Sequence, residues 1–396
     1  MTASLAAKPA FPRIDGGVVA VVAALFIVLS LVIAGAVDLR QGVLFLIGGL
    51  LGITLYHASF GFTGGWRQLV ELRRGRAMRA QLLMVAVAAV VFIPVLGSGT
   101  FWGQGHAGAF APVGVSVLVG AALFGLGMQL GGGCGSGTLF TVGGGSARML
   151  VTLLFFCIGA LIGTAHLPWW LGLPSLGVVN LGAGLGTGGA LAATLAFLAA
   201  VALLTVWIEK RKYGGLERHD QPQRQGWARL LHGPWPLVGA ALALAGLNIA
   251  TLFIAGHPWS VTYAFGLWGA KVAQVSGVDV AAWAFWSAPA QARALSGSVL
   301  QDVTSVMNFG IILGAALAAG LAGKFAPKAA LPWRSLAAAI LGGLLMGYGA
   351  RLGFGCNIGA LFSGIASGSL HGWLWFAAAF AGTIGGVRLR PLFGLT

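Results

Sequence analysis

Two of the three cysteines in this 396-residue chain lie in similar glycine-rich segments. Cys134 lies in GLGMQLGGGCGSGTLF, and Cys356 lies in GARLGFGCNIGALF. A thiol can act as a nucleophile or donate a hydrogen bond, and glycines beside it let backbone or a substrate approach closely. Cys157, in the apolar run LLFFCIGALIG, has instead the surroundings of a small hydrophobic residue. The sequence therefore predicts two functional thiols and one structural thiol.

The two cysteine segments are copies of one repeat. At an offset of 222 residues, 11 of the 21 positions from Gly120 to Phe140 are identical to the second segment. Six of these identities are glycines, and the others include the aligned pair Cys134 and Cys356. A weaker match pairs FGFTGG with FGLWGA. Because both copies retain the thiol beside a helix break, a role in function is favoured over chance burial.

The composition is that of a membrane protein. Hydrophobic residues make up 58% of the chain and charged residues only 8%, whereas soluble domains carry about 25% charged residues. A spanning helix needs about 20 apolar residues. We therefore predict an all-α polytopic protein in a lipid bilayer, with about ten transmembrane helices plus re-entrant half-helices. The predicted crossings are 17–37, 42–58, 80–97, 112–130, 148–166, 188–207, 235–255, 303–323, 334–352 and 371–387.

The basic residues cluster in a few loops, whereas 98–111 and 167–187 contain no lysine or arginine. One basic loop covers residues 209–229. The arginines of another are Arg67, Arg73, Arg74, Arg76 and Arg79. The positive-inside rule puts these loops in the cytoplasm, so we expect a bacterial inner-membrane protein with both termini cytoplasmic. The net charge of +15 is thus a topology signal, and no nucleic-acid partner is predicted.

The repeat divides the chain into five predicted parts. Crossing 42–58 pairs with 235–255, and crossing 112–130 pairs with 334–352. In the charge-derived topology the two members of each pair run in opposite directions. Such inverted repeats are typical of transporters that bind substrate near the bilayer midplane. The parts are an N-terminal tail with an extra helix (1–40), repeat 1 (41–187), a connecting helix with a basic loop (188–233), repeat 2 (234–387) and a cytoplasmic tail (388–396).

Each cysteine precedes an apolar piece of only about 10 residues, which is too short to cross a bilayer. We predict a re-entrant half-helix at each cysteine, whose free N–H groups and dipole form an anion site without a buried cation. Because the repeats are inverted, one half-helix enters from the cytoplasm and the other from outside, so Cys134 and Cys356 would line one path. The glycines expected to frame it are Gly133, Gly135, Gly137, Gly355 and Gly359.

Polar residues near the cysteines are the other candidate path residues, since polar groups at membrane depth are costly. Gln129 and Arg351 stand five residues before each cysteine, although Arg351 could instead mark a helix end and snorkel. His371 could contribute to the path or lie at the membrane interface. The side chains expected to donate hydrogen bonds to an oxyanion are Ser136, Asn357 and Ser363. No P-loop pattern occurs in the sequence, and neither a cofactor nor a metal is predicted.

Around these cysteines the chain resembles the YeeE/YedE family of sulfur-compound transporters. The matching segments are GLGMQLGGGCGSGTLF and GARLGFGCNIGALFSGIASGSLHGW. The resemblance implies thiosulfate uptake across the cytoplasmic membrane, with Cys134 and Cys356 hydrogen-bonding the ion along a central path. It also implies a cytoplasmic sulfur-carrier protein as a partner. Some relatives present a further cysteine in a segment like FGFTGG, and its counterpart here is Gly61.

Several interpretations of the thiols are open at this point. In the first, N–H groups hold the oxygens of thiosulfate while a neutral S–H contacts its terminal sulfur. In the second, a membrane sulfurtransferase carries persulfides on the same thiols and uses His57 or His371 as a base. In a third, the protein transports another sulfur or selenium compound. A membrane scaffold would leave the paired thiols without a role, and we predict a transporter, not an enzyme.

Overall fold

The computed structural model describes residues 14–101, 104–217, 226–325, 327 and 331–395. Parts of the predicted N-terminal tail (1–13), basic loop (218–225) and C-terminal tail (396) lie outside the described residues. The helices in chain order are α1 Gly16–Ala36, α2 Leu39–Ala58, α3 Phe62–Leu72, α4 Arg76–Gly97, α5 Val115–Gly131, α6 Gly135–Gly143, α7 Ala147–Leu171, α8 Leu181–Tyr213, α9 Gly226–His232, α10 Leu237–Ala255, α11 Thr262–Val275, α12 Pro289–Ser296, α13 Val303–Leu321, α14 Trp333–Leu352, a π-helix Asn357–Ser363, α15 Gly364–Ala366 and α16 Leu370–Leu389.

Ten apolar helical spans in the described part of the chain match the ten predicted crossings. Helix α13 begins at the predicted residue, whereas α8 begins at Leu181, earlier than predicted, and changes direction at Gly186. The strands are four short segments, β1 Thr100–Phe101, β2 Gln104–Gly105, β3 Pro112–Gly114 and β4 Ser175–Val178, paired β1 with β2 and β3 with β4. The predicted all-α polytopic fold is therefore confirmed.

Four shorter helices begin at buried residues inside the bundle. Helix α6, with 9 residues, follows Cys134. The π-helix follows Cys356 and continues directly into α15. These two elements are the short helices predicted after the cysteines. Helices α3 and α11, with 11 and 14 residues, were not predicted as separate elements, and their first residues, Phe62 and Thr262, are also buried.

The chain turns sharply between each long helix and the short helix that carries a cysteine at its start. After α5, Gly132 adopts φ = 92°, a left-handed conformation that glycine tolerates. At the position equivalent in the repeat, Phe354 adopts φ = 59°. A side chain in this region costs roughly 1–2 kcal/mol. The two breaks are therefore built from different residues, one relaxed and one strained.

Paired glycines let four long helices pack backbone to backbone, as in other membrane proteins. Helix α5 crosses α16 at Gly125 and Gly382, where a Cβ atom would overlap a carbonyl oxygen of the facing helix. Helix α7 crosses α14 at Gly159 and Gly347 in the same way. Gly125 and Gly347 are 222 residues apart, and Gly159 and Gly382 are 223 apart. The offset of the cysteine segments thus recurs in the helix crossings to within one residue.

Helix α13 runs from one end of the bundle to the other. It begins after Asp302 and ends at Leu321, whose carbonyl oxygen lies 2.6 Å from Nδ1 of His232. A helix of this length spans about 28 Å. Beside His232 lies Arg229, which lines a cavity together with Arg76 of the α3–α4 loop. We call this end the basic face and the end at Asp302 the opposite face.

Candidate functional site

Cys134 directly precedes α6 and is 1% exposed. Its Sγ lies 3.5 Å from Oγ of Ser136 and beside the backbone N–H groups of Gly137 and Phe62. Gly137 belongs to the first turn of α6, and Phe62 is the first residue of α3. The N-termini of two helices therefore meet at this thiol.

Cys356 directly precedes the π-helix and is fully buried. The N–H of Ile358 donates to its Sγ with an N···S distance of 3.4 Å, and the N–H groups of Gly359 and Gly135 lie beside it. A Cβ atom on Gly135 would lie only 3.0 Å from this Sγ. Because Gly135 is the first residue of α6, the second thiol lies where the first short helix begins.

The N-terminus of α11 completes this group. A Cβ atom on Gly135 would lie 3.3 Å from Cγ2 of Thr262 and 3.3 Å from Cγ1 of Val261, the residue before α11. The site thus brings together the N-termini of α3, α6, α11 and the π-helix. Helix N-termini carry free N–H groups and partial positive charge. The arrangement therefore favours an anion at the two thiols.

Side-chain amides hold the beginnings of α3 and α11 in place. Nε2 of Gln81 donates to the carbonyl oxygen of Gly61, before α3, at 3.2 Å. Nδ2 of Asn308 donates to that of Val261, before α11, at 2.9 Å. Nε2 of Gln129 donates to a first-turn carbonyl oxygen of α3 at 3.1 Å. Gln129 thus contacts the site through the α3 backbone, and sequence interpretation missed Gln81 because an isolated amide in an apolar run carries no positional signal.

Ser363 and His371 have partners elsewhere in the bundle. Oγ of Ser363 donates to the carbonyl oxygen of Trp259 at 2.9 Å and accepts from Asn248 at 3.3 Å. Nδ1 of His371 lies 2.7 Å from Oγ of Ser369. The hydroxyl of Ser363 and the imidazole of His371 thus both have hydrogen-bond partners within the protein. Within the described residues no group of three or more His, Cys, Asp and Glu side chains is arranged to hold a metal ion.

Asn357 has a buried and unpartnered side chain at the start of the π-helix. Within the described chain, neither its Oδ1 nor its Nδ2 has a hydrogen-bond partner, and Oε1 of Gln129 also has none. Buried polar groups nearly always have partners, and an unsatisfied one costs about 1–3 kcal/mol. A ligand at the start of this helix therefore meets an amide donor that is free to bind it.

A cavity of about 750 Å³ opens at the basic face. Its wall includes Arg76 and Arg229 and six glycines, among them Gly61, Gly133 and Gly137. Gly133 precedes Cys134 in the chain, and a Cβ atom on Gly137 would lie 3.5 Å from the Cys134 thiol. The cavity therefore reaches the backbone on both sides of the first thiol, although the thiol itself is buried.

Two further cavities, of about 530 Å³ and about 140 Å³, lie toward the opposite face. Both are lined by Ser260 and Tyr263, and the smaller one also by Arg351 and Gly355. Gly355 directly precedes Cys356. The buried thiols therefore separate the cavity of the basic face from those of the opposite face.

The weak match between FGFTGG and FGLWGA did indicate α3 and α11, but in a different register. Helix α3 begins one residue after Gly61. Helix α11 begins at Thr262, four residues before Gly266, which the sequence match pairs with Gly61. The match was a usable signal for two additional broken helices, although it did not predict where they begin.

Comparison with known proteins relates the chain to one family. The family described as sulphur transport matches residues 57–385, a range that includes both cysteine segments. The chain belongs to the sulphur transport family. This membership confirms the resemblance seen in the cysteine segments, and both thiols of this sulphur transport family member lie in the matched range.

Several relatives of the chain are named as transporters. It is 27% identical over 346 residues to the thiosulfate transporter TsuA of Spirochaeta thermophila, across 83% of this chain and 92% of that protein. It is 27% identical over 342 residues to TsuA of Escherichia coli, across 83% and 88%. The probable transporter YedE of Escherichia coli is 33% identical over 161 residues, across 40% of this chain and 39% of that protein. The chain thus spans about two fifths of the YedE proteins it matches. None of these names is that of an enzyme, in agreement with the prediction.

Proposed function

We propose that this protein transports thiosulfate through the membrane past Cys134 and Cys356. The observation that carries the proposal is a pair of buried thiols at the meeting point of four helix N-termini, with cavities on either side. Membership of a sulphur transport family and relatives named thiosulfate transporters support it. Thiosulfate has the two features that this site recognises, a double negative charge and a terminal sulfur.

The oxygens of the ion accept hydrogen bonds from free backbone N–H groups, among them those of Phe62 and Gly135. Each helix N-terminus contributes roughly half a positive charge, and hydrogen bonds to an anion are about twice as strong as neutral ones. The neutral S–H groups of Cys134 and Cys356 donate to the terminal sulfur. Sulfur recognition thus comes from the thiols, and charge recognition comes from the helix N-termini.

The ion passes between two neighbouring sites. Gly135, the residue after Cys134, lies against the thiol of Cys356, so a short movement transfers the ion from one thiol to the other. Two weak sites in succession favour release over trapping, because conduction requires binding that is both favourable and reversible. Since both thiols are closed to solvent, transport requires the cavities on each side to open toward them.

We assign the basic face to the cytoplasm by the positive-inside rule, in a bacterial inner membrane with both termini cytoplasmic, and the direction of transport to uptake. The large cavity of the basic face then releases the ion. A cytoplasmic sulfur-carrier protein, expected from the family resemblance, would receive it there. The two glycine crossings, Gly125 with Gly382 and Gly159 with Gly347, exchange equivalent positions of the two segments and so support two inverted repeats at 41–187 and 234–387.

Uptake of radiolabelled thiosulfate into proteoliposomes tests this proposal. Replacing Cys134 or Cys356 by Ala should lower the uptake rate by at least about tenfold, because each change removes a hydrogen bond to a charged ligand. Cys157→Ala is the matched control, because this thiol packs against the core from α7 and should leave uptake unchanged. Wild-type rates in both of the other variants would refute the mechanism. Competition by sulfate and selenosulfate identifies the preferred anion.

A further inference from the structure

Arg351 lines the small cavity next to the second thiol. It lies in the last turn of α14, and the walls of this cavity of about 140 Å³ also include Ser260, Tyr263, Phe285 and Gly355. We call this cavity the Arg351 chamber. Because Ser260 and Tyr263 also line the wider cavity of the opposite face, the chamber lies beside that cavity, and its wall at Gly355 lies next to the thiol in the chain.

The guanidinium of Arg351 has no counterion in the described part of the chain. Its Nε is buried without a hydrogen-bond partner, and the ion pairs among the described residues involve only the carboxylates of Glu71 and Glu209. Its Cζ lies 4.5 Å from the ring centre of Phe285 and 5.9 Å from that of Tyr263. A cation–π contact stabilises a charge without neutralising it. Because a partly buried charge without a counterion is costly, the guanidinium favours an anion in the chamber.

Two glycines make room for this side chain. A Cβ atom on Gly266 of α11 would overlap Nη2 of Arg351, and a Cβ atom on Gly163 of α7 would lie 2.8 Å from its Cβ. Gly266 thus determines where the guanidinium lies. A methyl group at this position would displace the guanidinium without removing its charge.

We propose that the Arg351 chamber is a second anion site, which binds doubly charged tetrahedral oxyanions before they reach Cys356. The inference rests on the proposed function and adds a site to it. The planar fork of guanidinium N–H donors matches a pair of oxyanion oxygens, and the hydroxyls of Ser260 and Tyr263 belong to residues of the same wall. The chamber of about 140 Å³ has the volume of more than four waters at about 30 Å³ each, and bonded atoms need less space than separate waters, so a tetrahedral ion of five heavy atoms fits.

The chamber and the thiols select for different properties of the ion. Sulfate and thiosulfate have the same charge and the same tetrahedral shape, so both bind to the guanidinium in the chamber. The thiols then distinguish the two ions by the terminal sulfur. Near the first thiol the equivalent residue is the neutral Gln129, whose amide N–H is already bound to Thr63. The second segment thus has a guanidinium where the first has a neutral amide.

Calorimetric titration of the purified full-length protein in detergent with sodium sulfate and sodium thiosulfate tests the proposal. The wild-type protein should bind both ions, and a double variant with Cys134→Ala and Cys356→Ala should still bind sulfate. Arg351→Gln should weaken sulfate binding by at least about tenfold, because it removes charge-assisted hydrogen bonds. Arg334→Gln, the same change at the exposed first turn of α14, should have no effect.

A second variant keeps the charge and moves it. Gly266→Ala should also weaken sulfate binding, whereas Gly246→Ala, whose Cβ atom meets open space, should not. Circular dichroism and elution as a single species show whether each variant is folded. If Arg351→Gln does not fold, the sulfate affinity of Gly266→Ala tests the proposal instead. Sulfate binding of wild-type strength in these two Arg351 and Gly266 variants would overturn the proposal. Loss of sulfate binding in the double cysteine variant would also overturn it, by putting the ion at the thiols.

Failure of this inference and failure of the proposed function give different results. A wild-type protein that binds sulfate through Arg351 but carries no thiosulfate into liposomes would refute the transport function and leave the second site. Thiosulfate uptake and sulfate binding that are both unchanged in Arg351→Gln would refute the site and leave the transport function.

Discussion

The segments around Cys134 and Cys356 share one sequence pattern but differ in how the chain turns into the short helix. After α5 the turn is made by Gly132, which adopts the left-handed conformation without strain, whereas after α14 it is made by Phe354. The first short helix is an α-helix, and the second begins as a π-helix. π-Helical turns are rare and frequently occur at functional sites. The second copy thus carries strain and irregularity that the first lacks.

The two segments also differ in their polar residues. Where the first has the neutral Gln129 and the small Gly135, the second has Arg351 and the unpartnered amide of Asn357. The first segment borders a large cavity of the basic face, and the second borders a small chamber. Two segments with one sequence pattern thus differ in their polar residues and in the size of the cavity that each borders.

Substitutions at the first residue of each short helix should show the largest difference between the two segments. Gly135→Ala should lower thiosulfate uptake by about tenfold, because the new methyl group would lie 3.0 Å from the thiol of Cys356 and displace it. The equivalent change Asn357→Ala should lower uptake by only about threefold, because it removes one amide donor and no thiol. Both are measured in proteoliposomes. Equal losses in the two variants would contradict the difference in roles.

Substitutions at the two turns should have effects of intermediate size on the stability of the protein. Gly132→Ala should destabilise the protein by at least about 1–2 kcal/mol, since it introduces a side chain at a left-handed residue, and its Cβ atom would also overlap the side chains of Arg148 and Met149. Phe354→Gly should instead stabilise it by up to about 1 kcal/mol by relieving the same strain. Thermal unfolding of the purified protein in detergent should therefore show midpoint shifts of opposite sign. A lower midpoint in Phe354→Gly would mean that packing of the phenyl ring outweighs the strain.

Gly61 provides the smallest test, and it contrasts a thiol in a cavity with the two buried thiols. At this position a Cβ atom meets no other atom within 4 Å, and φ is −122°, so a side chain is tolerated. Gly61→Cys should change the stability by less than about 0.5 kcal/mol. The new thiol lines the basic-face cavity and should react with a bulky maleimide, followed by mass spectrometry. The wild-type protein, whose Cys134 and Cys356 are buried, is the control, and rapid labelling of these two would contradict their burial.

The spans and the breaks were predictable from sequence because the bilayer imposes them. A helix such as α13 must be predominantly apolar over its length, and that pattern is visible in the sequence alone. The short helices after Cys134 and Cys356 were also predictable, since ten or so apolar residues between glycines are too few to span. These features depend on neighbouring residues alone.

The composition of the site was only partly predictable, because it depends on contacts between distant parts of the chain. Nothing in the local sequence shows that Phe62 lies at the thiol of Cys134, or that Thr262 lies beside Gly135. Ser363 was predicted as a path residue on chemical grounds, but its hydroxyl is bound to the backbone of Trp259. A hydroxyl side chain near a helix break can bind either the free backbone groups of the break or a ligand. Its hydrogen-bond partners are visible only in the tertiary structure.

The burial of both thiols between two cavities also determines where the membrane voltage acts. Water in the cavities conducts, so most of the potential difference falls across the thin layer around Cys134 and Cys356 rather than across about 30 Å of hydrocarbon. One charge moved through 100 mV corresponds to about 2.3 kcal/mol, and a divalent anion entering a cell with a negative interior opposes about twice that. In the proposed uptake, the electrical work is therefore concentrated at the thiols.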